Sequence, residues 1–115
     1  MGSNMSESKT QWLQRVADMH GLDPEDIEEI AEMCLEDTDT HMATLKEAFN
    51  ASDLKDAIRA AHSIKGSSAN IGLSELCQSA SAVEKQLKSA NFDDYEVNLA
   101  KLFKNLEEFR VLMAQ

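Results

Sequence analysis

The sequence predicts an all-α protein, an antiparallel up-down four-helix bundle with a short additional N-terminal helix. Three observations carry this expectation. Apolar residues recur at helical spacing almost from end to end. Only four Gly and one Pro interrupt 115 residues, too few turn formers for a many-stranded β sandwich. The breaks between periodic stretches are also only a few residues long, which makes successive helices antiparallel neighbours.

Taken in order, Trp12, Leu13, Val16 and Ala17 form a short first stripe that ends near Gly21, with Trp12 placed to anchor this helix on the bundle. Asp23-Pro24-Glu25-Asp26 then reads as a helix start: a capping acid, Pro in the first turn, and further acids at the positive end of the helix dipole. Behind it run Ile27, Ile30, Ala31, Cys34, Leu35, Met42, Leu45 and Phe49, with Met33 and Met42 as core filler. Asn50-Ala51-Ser52 breaks this run, and Leu54, Ala57, Ile58, Ala61 and Ile64 begin the next. Gly72 closes that helix, and Ser74 is placed to cap one that presents Leu76, Cys77, Ala80, Val83 and Leu87. After Asn91-Phe92-Asp93-Asp94, the last stripe is Tyr95, Leu99, Leu102, Phe103, Leu106, Phe109 and Met113. Residues 9–115 are expected to form a single domain. Residues 1–8 read as a cloning scar and flexible N-terminus, with a native start at Met5; the loose myristoylation pattern at Met1-Gly2 is explained by the scar. A start at Met5 followed by a complete bundle favours a free-standing protein.

A formal charge of −10 argues against nucleic acid and anionic membrane as partners, since both require a basic face. No apolar run approaches the ~18 residues of a membrane span, and no signal-peptide core is present. Cys34 and Cys77 lack a CxxC or a His at ligand spacing and read as buried free thiols in a reducing compartment. A cytoplasmic monomer is therefore expected. The charge is uneven: residues 23–56 carry a net −10, whereas residues 57–92 carry +2. The acidic helix reads as a solvated face, and the third helix is locally basic within an acidic protein.

That third helix holds the candidate chemistry. At ~100° per residue, His62 lies about 120° from the centre of the apolar stripe and so points to solvent or to the rim of a groove. On its side of the helix stand Lys55, Arg59, Lys65, Gly66 and Ala69. A helical side chain leans toward the N-terminus and covers the turn before its own Cα. Position 66 is thus the place from which a side chain would cover His62, and it is Gly, at a cost of about 1 kcal/mol relative to Ala. The cost is intelligible if the imidazole must stay open to a bulky partner. Lys65 leans back toward His62 and brings an ammonium near anything negative attached to the ring. Neutral imidazole is a good nitrogen nucleophile, and phosphoryl transfer asks a protein chiefly for position and charge neutralisation. No glycine-rich nucleotide loop accompanies these residues, so the domain could carry a phosphoryl group without taking one from ATP.

The run His62-Ser63-Ile64-Lys65-Gly66-Ser67-Ser68-Ala69-Asn70-Ile71-Gly72 closely resembles the signature of histidine-containing phosphotransfer (HPt) domains. The resemblance implies a phosphoryl shuttle in a multistep phosphorelay. His62 would accept a phosphoryl group from the phospho-aspartate of a receiver domain, in a response regulator or hybrid sensor kinase, and hand it to another receiver. Lys65 would stabilise the phosphoryl charge and Gly66 would admit the receiver. The Mg²⁺ that the chemistry requires would belong to the receiver, and this chain would bind no cofactor. Lys55, Arg59, Ala69 and Ser67 are candidates for docking, with Lys85 and Lys88 as further cations on the next helix.

The competing reading is a helical adaptor with an HPt-like fold and no chemistry. It accounts for the bundle but not for an outward His with a bare neighbour and a Lys beside it. Asp37-Thr38-Asp39-Thr40-His41 lacks the Gly and distal Glu of a calcium loop. His20 and His41 read as incidental surface residues.

Overall fold

A computed structural model of the protein describes residues 7–115, and the proposed scar at residues 1–6 lies outside them. Five helices follow one another: α1 (Lys9–His20), α2 (Pro24–Asn50), α3 (Leu54–Asn70), α4 (Ser74–Ser89) and α5 (Tyr95–Met113). The architecture is the expected all-α one. Helices α2 to α5 make the antiparallel bundle, and α3 packs between α2 and α4. At 1.5 Å per residue, the 27-residue α2 spans about 40 Å, close to the 42 Å long axis of the molecule.

Local chemistry explains where the helices begin and end. Ser8 accepts a hydrogen bond from the Gln11 N–H while the Gln11 side chain accepts from the Ser8 N–H, a capping box that starts α1. Glu7 pairs with Arg15, so Glu7 and Ser8, grouped with the tail by sequence, belong to the helix start. Gly21 and Gly72 end α1 and α3 in the left-handed region, at φ 67° and 72°. The α2–α3 turn places Ser52 there too, at φ 62°, and Asp53 caps α3 by accepting from the Asp56 N–H. Ser74 does not cap α4. Leu73 occupies the cap position, buried and without a side-chain hydrogen bond, and Ser74 is the first helical residue. Burying Leu73 outweighs a hydroxyl cap worth about 1 kcal/mol.

Helix α1 covers the end of the bundle at which α2 begins and α3 and α5 finish. Trp12 is buried and meets Phe109 edge to face, with ring centroids 6.1 Å apart. Lys9 bridges to Glu28 on α2 and donates to the Met113 carbonyl. His20, read as incidental from the sequence, hydrogen-bonds the Asn70 carbonyl at 2.7 Å and fastens the end of α1 to the end of α3.

The inward rows follow the predicted stripes with four corrections. On α2 the row is Ile27, Ala31, Cys34, Thr38, Met42, Leu45 and Ala48, so Ile30 and Met33 face outward. Met33 is 61% exposed and is not core filler. Phe103 is also exposed, with the Lys46 ammonium 5.2 Å from its ring centre. Cys34 is buried as expected, but Cys77 is only partly so; both are free thiols. No helix among the described residues is long and apolar enough to cross a membrane.

Candidate functional site

Helices α3 and α4 meet along a seam that carries one buried charge. Glu84 lies in the inward face of α4 beside Val83 and Leu87, and is 3% exposed. A buried carboxylate persists only where donors compensate the lost water, and three donors do so. The His62 Nδ1 lies 2.9 Å from Glu84 Oε2. Lys65 Nζ lies 2.7 Å from Oε1, and Lys88 Nζ, one turn along α4, lies 3.2 Å from Oε2.

The electrostatics fix the charge of the carboxylate. Burial pushes the Glu84 carboxyl up, but hydrogen bonds from Lys65, Lys88 and His62 outweigh it and bring its pKa down to about 2. Glu84 is thus ionised at neutral pH. An ionised carboxylate only accepts hydrogen bonds, so the imidazole must donate through Nδ1–H. In the neutral ring, Nε2 then carries the free lone pair. The ring itself stands clear of the core, with its side chain 65% exposed. A neutral imidazole with an unprotonated, outward Nε2 is a nucleophile poised for an external electrophile.

Gly66, one turn beyond His62, is exposed and helical, and a Cβ built on it would meet nothing within 4 Å. Neither backbone conformation nor internal packing demands a glycine there. The space over His62 is open. Lys55, Arg59 and Ala69 are exposed on α3, in line with their assignment to the outer face. Ser67 is different: its hydroxyl donates to the Ser63 and Ile64 carbonyls, and it lies against Cys34 of α2. It belongs to the α2–α3 seam rather than to the surface around His62. Ser68 is fully buried and donates to the Ile64 carbonyl.

Sequence reasoning missed Glu84 altogether and treated Lys88 only as a docking cation. A signal was available in the acid set among Val83 and Leu87, with a lysine four residues on. The segment Asp37–His41 does not converge: Thr38 is buried, while Asp39 pairs with Arg110 of α5. No group of three or more His, Cys, Asp or Glu among the described residues could hold a metal ion.

The buried ion cluster predicts a pH signature. Because the Glu84 carboxyl falls from its usual 4.5 to about 2 on folding, the unfolded chain binds its proton more tightly than the folded one. The resulting stabilisation, up to about 3 kcal/mol at 1.36 kcal/mol per pH unit, is fully present above pH ~5 and disappears as pH falls toward 2. Urea unfolding should show Glu84→Gln less stable than the parent at neutral pH, with the gap closing in acid. A gap of constant size would contradict the assignment.

Residues 29–112 match the model of the Hpt domain family. No curated protein and no solved structure gives a significant match to the chain.

Proposed function

We propose roles for the groups of this site from one premise: the chain belongs to the Hpt domain family, whose members serve histidine phosphotransfer in two-component signalling and are phosphoryl carriers, not ATP-dependent kinases. Members of the family interact with receiver domains. On our reading, His62 is the phosphoacceptor. Its Nε2 attacks the phosphorus of a receiver phospho-aspartate, and the receiver supplies the Mg²⁺. The phosphoryl group then passes to the aspartate of a second receiver, in a response regulator or hybrid sensor kinase. The observation that supports this reading is the exposed Nε2 of a ring whose Nδ1 is tied to a buried carboxylate.

Lys65 neutralises the arriving charge. Its ammonium pairs with Oε1 of the carboxylate whose Oε2 meets His62, and its side chain is one-third exposed, open to a dianion that competes with the carboxylate for it. Gly66 leaves the approach open, and Lys55, Arg59 and Ala69 form part of the docking face. On this reading the protein works in the cytoplasm as a monomer, a reducing setting compatible with its free thiols.

Incubation with receiver domains phosphorylated by a small acyl phosphate tests the reading. Phosphoryl label should move to this chain as an acid-labile, alkali-stable phosphoramidate. Receivers that bind without transferring label would instead identify an adaptor. Lys65→Ala should slow transfer by about tenfold, the loss of one charge-assisted contact, with little change in helical content. Equal rates would remove Lys65 from the chemistry.

A further inference from the structure

We propose that a hollow between the start of α4 and the end of α5 docks an amphipathic helical segment of a partner protein, one that sets leucine-like side chains beside lysine or arginine. The site is independent of the role of His62. None of the residues lining the hollow belongs to the His62 cluster. Leu76 in its floor lies about 12 Å along α4 from Glu84. It also faces α5, whereas Glu84 faces α3.

The hollow follows from how α4 and α5 meet. Two polar rungs join them, Asn98 donating to Gln86 and Ser79 donating to Asn105. Past Asn105 the seam opens into a space of about 320 Å³, at the lower end of the range typical of binding pockets. Leu73, Leu76 and Phe109 are buried beneath it, and Leu112 is partly buried at its side. Val111 completes the apolar lining from the rim, where it is 65% exposed. Apolar surface therefore continues outside the hollow, beyond what a small molecule would cover. A groove between two packed helices suits a third helix, which would lay anchors at i, i+3, i+4 and i+7 into it.

Charge selects among such helices. Four half-buried carboxylates line the hollow, those of Glu7, Glu75, Glu107 and Glu108. Arg15 neutralises Glu7 and Arg110 pairs with Glu107. Glu108 accepts only from the uncharged Asn105 amide, and Glu75 has no ion pair among the described residues. Lys104, the cation of this lining, is exposed and pairs with neither. Two uncompensated carboxylates at the edge of an apolar floor attract a cation carried next to an apolar side chain, and they repel an acidic helix. The acidic face of α2 would attract cations as well, so the apolar anchors are what direct the segment to this hollow.

NMR titration of the ¹⁵N-labelled protein tests the proposal with two synthetic probes. One is a blocked helix of about 15 residues with leucines at the anchor positions and lysines beside them. The other carries glutamate in place of lysine. The lysine helix should give saturable amide shifts confined to residues 73–76 and 104–112, and the glutamate helix should bind at least ~10-fold more weakly. Glu75→Gln with Glu108→Gln should weaken the lysine helix by about threefold to tenfold, the loss of two exposed charge pairs. Val111→Ser should weaken it by about threefold, the loss of part of one apolar contact. Val111 is exposed, so this variant keeps the fold and decides alone if the double variant unfolds. No binding, shifts confined to α2, equal affinity of the two helices, or unchanged affinity in the variants would overturn the proposal. Phenethylamine binding in the hollow as tightly as the lysine helix would also overturn it, in favour of a small-molecule site. No phosphoryl transfer enters the measurement, so its result stands or falls apart from the role of His62.

Discussion

His62→Gln should abolish phosphoryl uptake from phosphorylated receivers while leaving the bundle intact. Glutamine is near histidine in reach, and its amide can still donate to Glu84, so the buried carboxylate keeps a partner. The ring is 65% exposed, and with an amide donor retained the change in stability should stay near that of one exchanged hydrogen bond, about 1 kcal/mol. An amide nitrogen has no available lone pair and cannot replace Nε2 as nucleophile. The expected loss is therefore complete and chemical rather than structural. Label counting after alkaline and acid treatment, beside thermal unfolding of the same samples, checks both halves. Undiminished alkali-stable label on the variant would move the acceptor to His20 or His41.

Gly66→Leu should give the second-largest effect, and in an unusual combination. Gly in a helix interior costs about 1 kcal/mol relative to Ala and Leu is nearly as good as Ala, while a Cβ at 66 meets nothing within 4 Å. The variant should thus unfold at a higher temperature than the parent. Its side chain leans back over the preceding turn and overhangs Nε2 where the acyl phosphate must arrive. Misplacing reacting atoms by about 1 Å costs on the order of a hundredfold, and a loss of that size is expected in transfer rate. Gly66→Ala should share the gain in stability with a smaller loss in rate. Wild-type transfer by Gly66→Leu would mean that receivers approach His62 from another side. A stabilising substitution that silences the site would separate access from folding in one measurement.

Much of this was legible in the chain itself because helices are local objects. The 3.6-residue period, the Asp23-Pro24 start and the glycines at 21 and 72 each act over a few residues. The outward direction of His62 follows from the same period, since the stripe Ala57, Ala61, Ile64 and Ser68 faces inward. What was misread lies at the edges of stripes. Ile30, Met33 and Phe103 are spaced like core residues, but exposure depends on where the neighbouring helices sit around each axis. Thr38 entered the core and Leu73 displaced Ser74 as cap for the same reason: burial against another element outweighed a local preference.

The sequence by itself determined five helices, the breaks between them, and a helix that presents an uncovered histidine beside a lysine and a glycine. Only the tertiary structure decided which nitrogen of that histidine is free, because the deciding group stands on another helix, 22 positions away. A carboxylate in an apolar row can be buried only where donors from elsewhere replace its water. Those donors exist once α3 and α4 lie side by side, and no periodicity within either helix encodes the contact.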